Sequence, residues 1–212
     1  MIKINKKNND TNIYGLIYIP DLEPEISNDQ DHLDTSQHPY RPTLEISDGN
    51  LKKIESIILN KRHNCKGIME IGICRNGERS MTHVLLNNKK NDTIYLGVDL
   101  EDKSFLNNPE KNIFTIKTNS HNQEEIRLKL NKIGIDKLSI LMIDGWHSVN
   151  TVINDWRYAD LLDDNGIVIF HDTNTHPGPI SILEAIDKNI FEVNKFFTEN
   201  FDDQGISTAQ KR

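Results

Sequence analysis

Four ionisable side chains stand in two short stretches of this sequence. Asp144 and His147 lie in Ile143-Asp144-Gly145-Trp146-His147-Ser148, and His171 and Asp172 in Gly166-Ile167-Val168-Ile169-Phe170-His171-Asp172-Thr173. Each stretch follows or contains an unbroken apolar run that breaks into polar residues. Such a run reads as a strand buried on both faces, so the polar residues fall where the strand leaves its sheet. Gathered at adjacent strand ends, Asp144, Asp172 and His171 can together hold one divalent cation, Mg2+ through oxygen ligands or Mn2+ where the imidazole also binds. A cation there orients a hydroxyl-bearing molecule and lowers its pKa. His147, with an unperturbed pKa of ~6.5, is expected to be largely neutral at pH 7 and suits a general base. Each group also has a plainer reading. Asp144 can cap a turn, Asp172 can bond backbone amides, and a lone loop histidine is more often structural than catalytic. The clustering of four groups favours chemistry. His176 and Trp146 are candidates to line an acceptor pocket, whereas His63, His83 and His121 read as surface residues.

A second group of residues points to a nucleoside. Glu70-Ile71-Gly72-Ile73-Cys74-Arg75-Asn76-Gly77 places a strand, a glycine turn and a helix start in succession. Glycines let a backbone approach a ligand closely. Asp99 ends the next strand, where a carboxylate can accept hydrogen bonds from both ribose hydroxyls. The loop is not the G-x-G-x-x-G of dinucleotide enzymes, and a strand-terminal Asp is often a cap. In this order on consecutive strands, the two favour a nucleoside bound beyond the carboxyl ends of a parallel sheet.

The elements that must position these residues alternate along the chain. Ser47 or Asp48 caps a helix whose apolar face is Leu51, Ile54, Ile57 and Ile58. Strands are expected at Gly67–Gly72, Thr93–Asp99, Ile113–Ile116, Leu138–Asp144 and Gly166–Asp172. Helices are expected around Met81–Leu86, over Glu124–Ile133, Val152–Leu162 and Ile180–Ile190, and two last strands at Phe191–Phe197 and Gly205–Gln210. That alternation implies an α/β fold: a Rossmann-like, mostly parallel sheet with helices on both faces and an antiparallel C-terminal edge. The domain runs over residues 46–212, and residues 1–45 form an N-terminal extension. Within the extension, Ile13–Ile19, closed by Pro20, reads as a strand or hairpin. The polar remainder reads as an arm, and the extension as a whole, Ile13–Ile19 included, is expected to add little core and can order across the site or against a second copy in a homo-oligomer.

Composition narrows the functions. With 25 Lys and Arg against 32 Asp and Glu the net charge is −7, and the positive charge is scattered. No basic stripe offers a path for nucleic acid, so none is expected as partner. No apolar run approaches the ~20 residues of a membrane span. The two cysteines have no metal-type spacing, and Met1 is followed by Lys and Asn, not by an apolar signal core. A soluble, cytoplasmic setting is expected.

Glu70-Ile71-Gly72 followed by an acid-ended strand resembles the first two motifs of class I S-adenosylmethionine-dependent methyltransferases. The Asp144-Gly145-Trp146-His147 turn, the His171-Asp172 pair and Pro177-Gly178 soon after narrow the likeness. They are similar to the small sugar O-methyltransferases, the group of macrolide-sugar and cephalosporin-hydroxylase-like rhamnosyl methyltransferases. The resemblance covers about residues 66–212. It implies S-adenosylmethionine as cofactor, with Glu70, Gly72 and Gly77 around its methionine end, Asp99 on the ribose, and Asn119 or Ser120 near the adenine. It further implies a sugar or other small-molecule acceptor, Mg2+ or Mn2+ at Asp144, His171 and Asp172, and His147 with Asp144 as the catalytic residues. Two departures stand out. The turn between Gly72 and Gly77 is about one residue longer than the common form, and metal-using members commonly carry two acids where this chain has His171-Asp172. Three other functions compete: a metal-independent methyltransferase of the same fold, a non-catalytic nucleoside-binding relative, and a nicotinamide enzyme. The last is disfavoured by the missing glycine fingerprint. The Asn/Asp-Pro-Pro-aromatic signature of nucleic-acid N-methylating enzymes is replaced by Asp-Gly-Trp-His.

Overall fold

The central strands are largely apolar on both sides, with Glu70 and Ser139 the buried polar residues of β1 and β4, and alternate side chains leave by opposite faces, so one strand feeds two cores. In the computed structural model, which describes residues 13–21, 46–73, 80–196 and 203–212, this division is complete. Seven strands form one sheet: β1 (Gly67–Ile71), β2 (Ile94–Asp99), β3 (Ile113–Lys117), β4 (Leu138–Ile143), β5 (Leu162–His171), β6 (Phe191–Phe196) and β7 (Ile206–Lys211). Their order is β3-β2-β1-β4-β5-β7-β6. The first five run parallel, and β7 returns antiparallel between β5 and β6. Ile68, Ile140, Met142, Ile167 and Ile169 pack against α1 (Asp48–Lys61) and α2 (Met81–Asn88). Met69, Ile71, Leu141, Ile143, Val168 and Phe170 face the opposite layer, made by α3 (Gln123–Ile133), α4 (Val149–Trp156) and α5 (Pro177–Ala185).

The chain moves outward from β1 through β2 to β3 and then crosses back to lay β4 on the other side of β1. That reversal opens a crevice at the carboxyl ends of β1 and β4, where ligands of open α/β sheets bind. No helix among the described residues is long and apolar enough to cross a membrane.

Three elements differ from the sequence reading. The helix expected over Val152–Leu162 starts earlier, at Val149 behind the Ser148 cap, and tightens into a 3-10 stretch at Arg157–Leu161. The helix expected over Ile180–Ile190 instead begins at Pro177, whose ring suits a first helical turn. It stops at Ala185, beyond which Asp187 closes a turn by accepting from the Asn189 amide at 2.8 Å.

Ile13–Ile19 is neither strand nor hairpin. It is a turn with a single bridge, Leu16 to Ile186. Gly15 takes a φ of +77° with its Cα against the Phe191 ring, where a Cβ would stand 2.4 Å from the ring edge. The Trp156 indole donates to the Tyr14 carbonyl at 2.8 Å, and Ile17 N donates to the Ala185 carbonyl at 2.8 Å. Ile13, Leu16 and Tyr18 are buried in the same core as β4 and β5, contrary to the expectation that this stretch adds little core. Trp156 links it to the site, stacking on Phe170 of β5 with ring centroids 5.8 Å apart and meeting Phe191 edge-on at 5.2 Å. The remainder of residues 1–45, namely 1–12 and 22–45, lies outside the described residues. Leu16→Ala should cost about 2–4 kcal/mol in denaturant unfolding, the range for an emptied core position. Ile17→Ala, at a half-exposed neighbour, should stay within about 0.5 kcal/mol. Equal effects would mean that the segment does not pack as described.

Candidate functional site

The crevice is drawn tight by backbone contacts that exclude side chains. Gly72 follows β1 with a φ of +82°, and a Cβ there would stand 2.0 Å from the Asp144 carbonyl oxygen. Its amide donates to the Val98 carbonyl at 3.0 Å, while the Asp144 amide donates to the Ile71 carbonyl at 2.8 Å. The ends of β1, β2 and β4 are thereby joined through one residue that only glycine can fill without strain. Gly178 does the same for the far wall: its amide donates to the His147 carbonyl at 2.9 Å, and a Cβ would approach that oxygen to 2.3 Å. Pro177-Gly178 thus seats the first turn of α5 on the turn that carries His147.

On the cofactor side, Asp99 is half-buried and holds the strand end in place. Its Oδ2 accepts from the Ile73 amide at 2.8 Å and its Oδ1 from the Glu101 amide at 2.7 Å. Each oxygen keeps a lone pair for a further donor. Glu70 is fully buried on the α2 face of the sheet, where Oε1 accepts from Thr82 Oγ1 at 2.8 Å and Oε2 accepts from the Tyr95 hydroxyl. Burial pushes its pKa up to about 8, with the Tyr95 and Thr82 hydrogen bonds holding it below where burial alone would take it. Glu70 therefore braces the first turn of α2. Asn119 is exposed and closes an Asx turn, its Oδ1 accepting from the His121 amide at 2.9 Å. Ser120 beside it is buried, its carbonyl held by the Tyr158 hydroxyl at 2.7 Å. Gly77 lies outside the described residues.

Across the crevice, the acids and histidines expected to converge do so. Ligand atoms of Asp144, His171 and Asp172 all lie within 4.8 Å of one another. His171 Nδ1 stands between the acids, 2.8 Å from Asp144 Oδ1 and 3.0 Å from Asp172 Oδ2. His147 Nε2 reaches the same Asp172 oxygen at 2.6 Å. His176 completes the group, its Nε2 3.9 Å from Asp172 Oδ1 and its ring 4.2 Å from that of His147. Trp146 remains 40% exposed at the rim. Asp172 has a φ of +60°, a left-handed backbone that Asp tolerates better than most residues.

The charges follow from these distances. Burial opposes ionisation of Asp172, but the charge of His171 and the His147 and His171 hydrogen bonds overcome it and hold the carboxyl well below the usual carboxylate range. Burial likewise opposes a charged His171, and the two carboxylates carry its pKa well above the ordinary value. Asp144 moves up, because its burial and the neighbouring Asp172 charge outweigh His171. His147 departs from the unperturbed imidazole expected of it. Burial opposes its charge, but the Asp172 hydrogen bond and charge, with that of Asp144, raise its pKa.

One polar residue of this region was not singled out in the sequence. Asp155 is fully buried on α4, at a helical spacing shared with the apolar Val152 and Trp156. A charged residue on a helix's apolar face was the available signal.

No protein-family model matches the sequence, and no curated protein matches it. Solved structures do. The MycE methyltransferase of mycinamycin biosynthesis, seen with Mg, SAH and mycinamycin VI, has a TM-score of 0.55 at 14% identity over 76% of this chain and 48% of its own. This chain thus spans about half the length of MycE. An O-methyltransferase from Bacillus cereus in complex with SAH has a TM-score of 0.56 at 10% identity, covering 81% of this chain and 84% of its own. A putative rRNA-methylase from Clostridium thermocellum has 0.54 at 16%, covering 79% and 98%. The fold is that of the class I S-adenosylmethionine-dependent methyltransferases. Among proteins of that fold, the chain resembles O-methyltransferases.

Glu70 provides a test of the crevice's construction. A carboxyl whose pKa is raised on folding contributes stability present below its unfolded value and lost as pH rises through about 8. Between pH 5 and 8 the wild type should lose up to about 1.4 kcal/mol per pH unit through this group. Glu70→Gln should flatten that slope in denaturant unfolding. Parallel pH curves for the two proteins would place Glu70 outside the buried site described.

Proposed function

We propose that the protein is an S-adenosylmethionine-dependent O-methyltransferase acting on a hydroxyl of a sugar or glycosylated small molecule, assisted by a divalent cation. The observation that supports this most is the placement of Asp144, His147, His171 and Asp172 beside the crevice whose opposite wall carries Gly72 and Asp99. A cofactor spanning that crevice would be held with its ribose at Asp99, its methionine end by Glu70, Gly72 and, as the resemblance implies, Gly77, and its adenine by Asn119 or Ser120. Methyl transfer is an in-line displacement, and holding acceptor and sulfonium in line supplies up to roughly 7–11 kcal/mol of barrier reduction.

The donor set suits a cation. Two carboxylates already enclose one positive group, the His171 ring, and the oxygen that Asp172 gives to His171 is also shared with His147. Asp144 and Asp172 would be the primary ligands, with His171 as a third ligand for Mn2+ or, for Mg2+, as a hydrogen-bond partner that orients the carboxylates. The bound ion would act as a Lewis acid toward the acceptor hydroxyl. His147 removes the hydroxyl proton. The Asp172 contact raises its pKa, and sharing that carboxylate with a bound cation would weaken the contact and favour the basic form of the ring. His176 and Trp146 line the acceptor side, and the resemblance to MycE, seen with mycinamycin VI, supports a small-molecule acceptor.

The close His147–Asp172 pair favours a second reading, a histidine base oriented by a carboxylate with no metal at all. Chelator separates the two. Calorimetric titration should show S-adenosylhomocysteine binding that Asp99→Ala weakens by about 1–3 kcal/mol. Unchanged affinity in the folded variant would move the ribose elsewhere. Excess chelator should abolish methyl transfer and Mn2+ or Mg2+ should restore it, while Asp172→Asn should lose transfer and still bind cofactor. His147→Ala should slow turnover without altering metal affinity. Full activity in chelator would leave the histidine–carboxylate pair as the whole catalytic apparatus.

A further inference from the structure

Asp155 is a buried carboxyl that the mechanism above does not use. Neither of its oxygens finds a hydrogen-bond donor among the described residues, although the residue has no exposed surface. Burial raises its pKa to about 7 even against the opposing pull of the nearby Ser120 hydroxyl and the charge of His147. A Cβ added at Gly145 would stand 3.4 Å from Asp155 Oδ2, so the carboxyl lies under the turn that follows β4. Ser120, in the turn after β3, is fixed through its carbonyl by Tyr158, one helical turn beyond Asp155. Asp155 therefore sits between the two turns that flank the proposed adenine position. Leaving a buried carboxyl unpartnered is costly, and a donor brought within reach recovers that cost.

We propose that Asp155 is a positioning residue for the purine end of the cofactor, accepting the Ser120 hydroxyl proton so that Ser120 turns its lone pairs toward the base. This rests on the reading of Ser120 as the adenine contact. A serine hydroxyl has one proton to donate and lone pairs to accept with. With the proton committed to Asp155, Ser120 can only accept, which suits the 6-amino group of adenine and rejects a 6-oxo group. A carboxyl offers an acceptor oxygen in either protonation state, so the selection does not depend on its ionisation.

The test is calorimetric titration of the full chain with S-adenosylhomocysteine and with its 6-oxo counterpart, S-inosylhomocysteine. The wild type should prefer the 6-amino ligand. Asp155→Asn, which keeps an acceptor oxygen, should keep the preference. Asp155→Leu, which keeps bulk without an acceptor, should lose roughly tenfold of it, about one hydrogen bond's worth. Its melting temperature without cofactor should not fall, because in the free protein the buried carboxyl removed has no hydrogen-bond donor among the described residues. Ser120→Ala should lose the same preference, and provides the test should Asp155→Leu not fold. An unchanged ligand ratio in Asp155→Leu or Ser120→Ala would overturn the inference and leave the cofactor reading standing. So would an equal loss of both affinities with a lowered melting temperature, which marks a merely structural residue. A wild type that binds neither ligand would overturn the cofactor reading itself, and the inference with it.

Discussion

A carboxylate buried at the end of an apolar strand must be given positive company, and Asp172 sets that demand on the rest of the site. It is 4% exposed, left-handed in its backbone, and faced by three imidazoles. An ion in that position without partners would cost several kcal/mol, so the surrounding turns must deliver charge with close tolerance. His171 comes from the strand itself, His147 from the turn after β4, and His176 from the cap of α5. Each arrives from a different element, and the close contacts at Gly72 and Gly178 bring those elements together.

The sheet makes this arrangement repeatable. β4 and β5 pair in parallel, so Ile143 and Phe170 stand opposite and the two polar pairs that follow them emerge side by side. Beneath them, Phe170 rests on Trp156, which rests in turn on Phe191 and bonds the backbone at Tyr14. The N-terminal turn at Ile13–Tyr18 is thus connected to the site strand through three aromatic rings. Asp99 and Glu70 play the corresponding part on the other wall, one closing the turn after β1 and the other tying β1 to α2.

Much of this was legible in the sequence, and the reasons are physical. A strand buried on both faces is largely apolar, so Ile140–Ile143 and Ile167–Phe170 announced themselves, and the residues that broke those runs form the candidate site. Spacing put Asp144, His147, His171 and Asp172 at adjacent ends. It could not give their ionisation, because the His147–Asp172 contact depends on how α5 seats the turn after β4. Ile13–Ile19 misled for the opposite reason. Its apolar content is genuine and buried, but Gly15 takes a left-handed φ against Phe191, so the run turns where a strand would extend. Asp155 was hidden inside a helix whose periodicity reads equally well with or without a charge.

On the proposed function, cofactor and cation meet in one crevice, with the transferable methyl group next to the carboxylates of Asp144 and Asp172. S-adenosylmethionine labelled with carbon-13 in its sulfonium methyl group, bound to the protein and titrated with Mn2+, tests this directly through paramagnetic relaxation of the methyl signal. The account predicts strong broadening of the bound methyl resonance that saturates with the metal site and disappears in Asp172→Asn. A bound methyl signal that stays sharp at saturating Mn2+ would separate the two sites and contradict it.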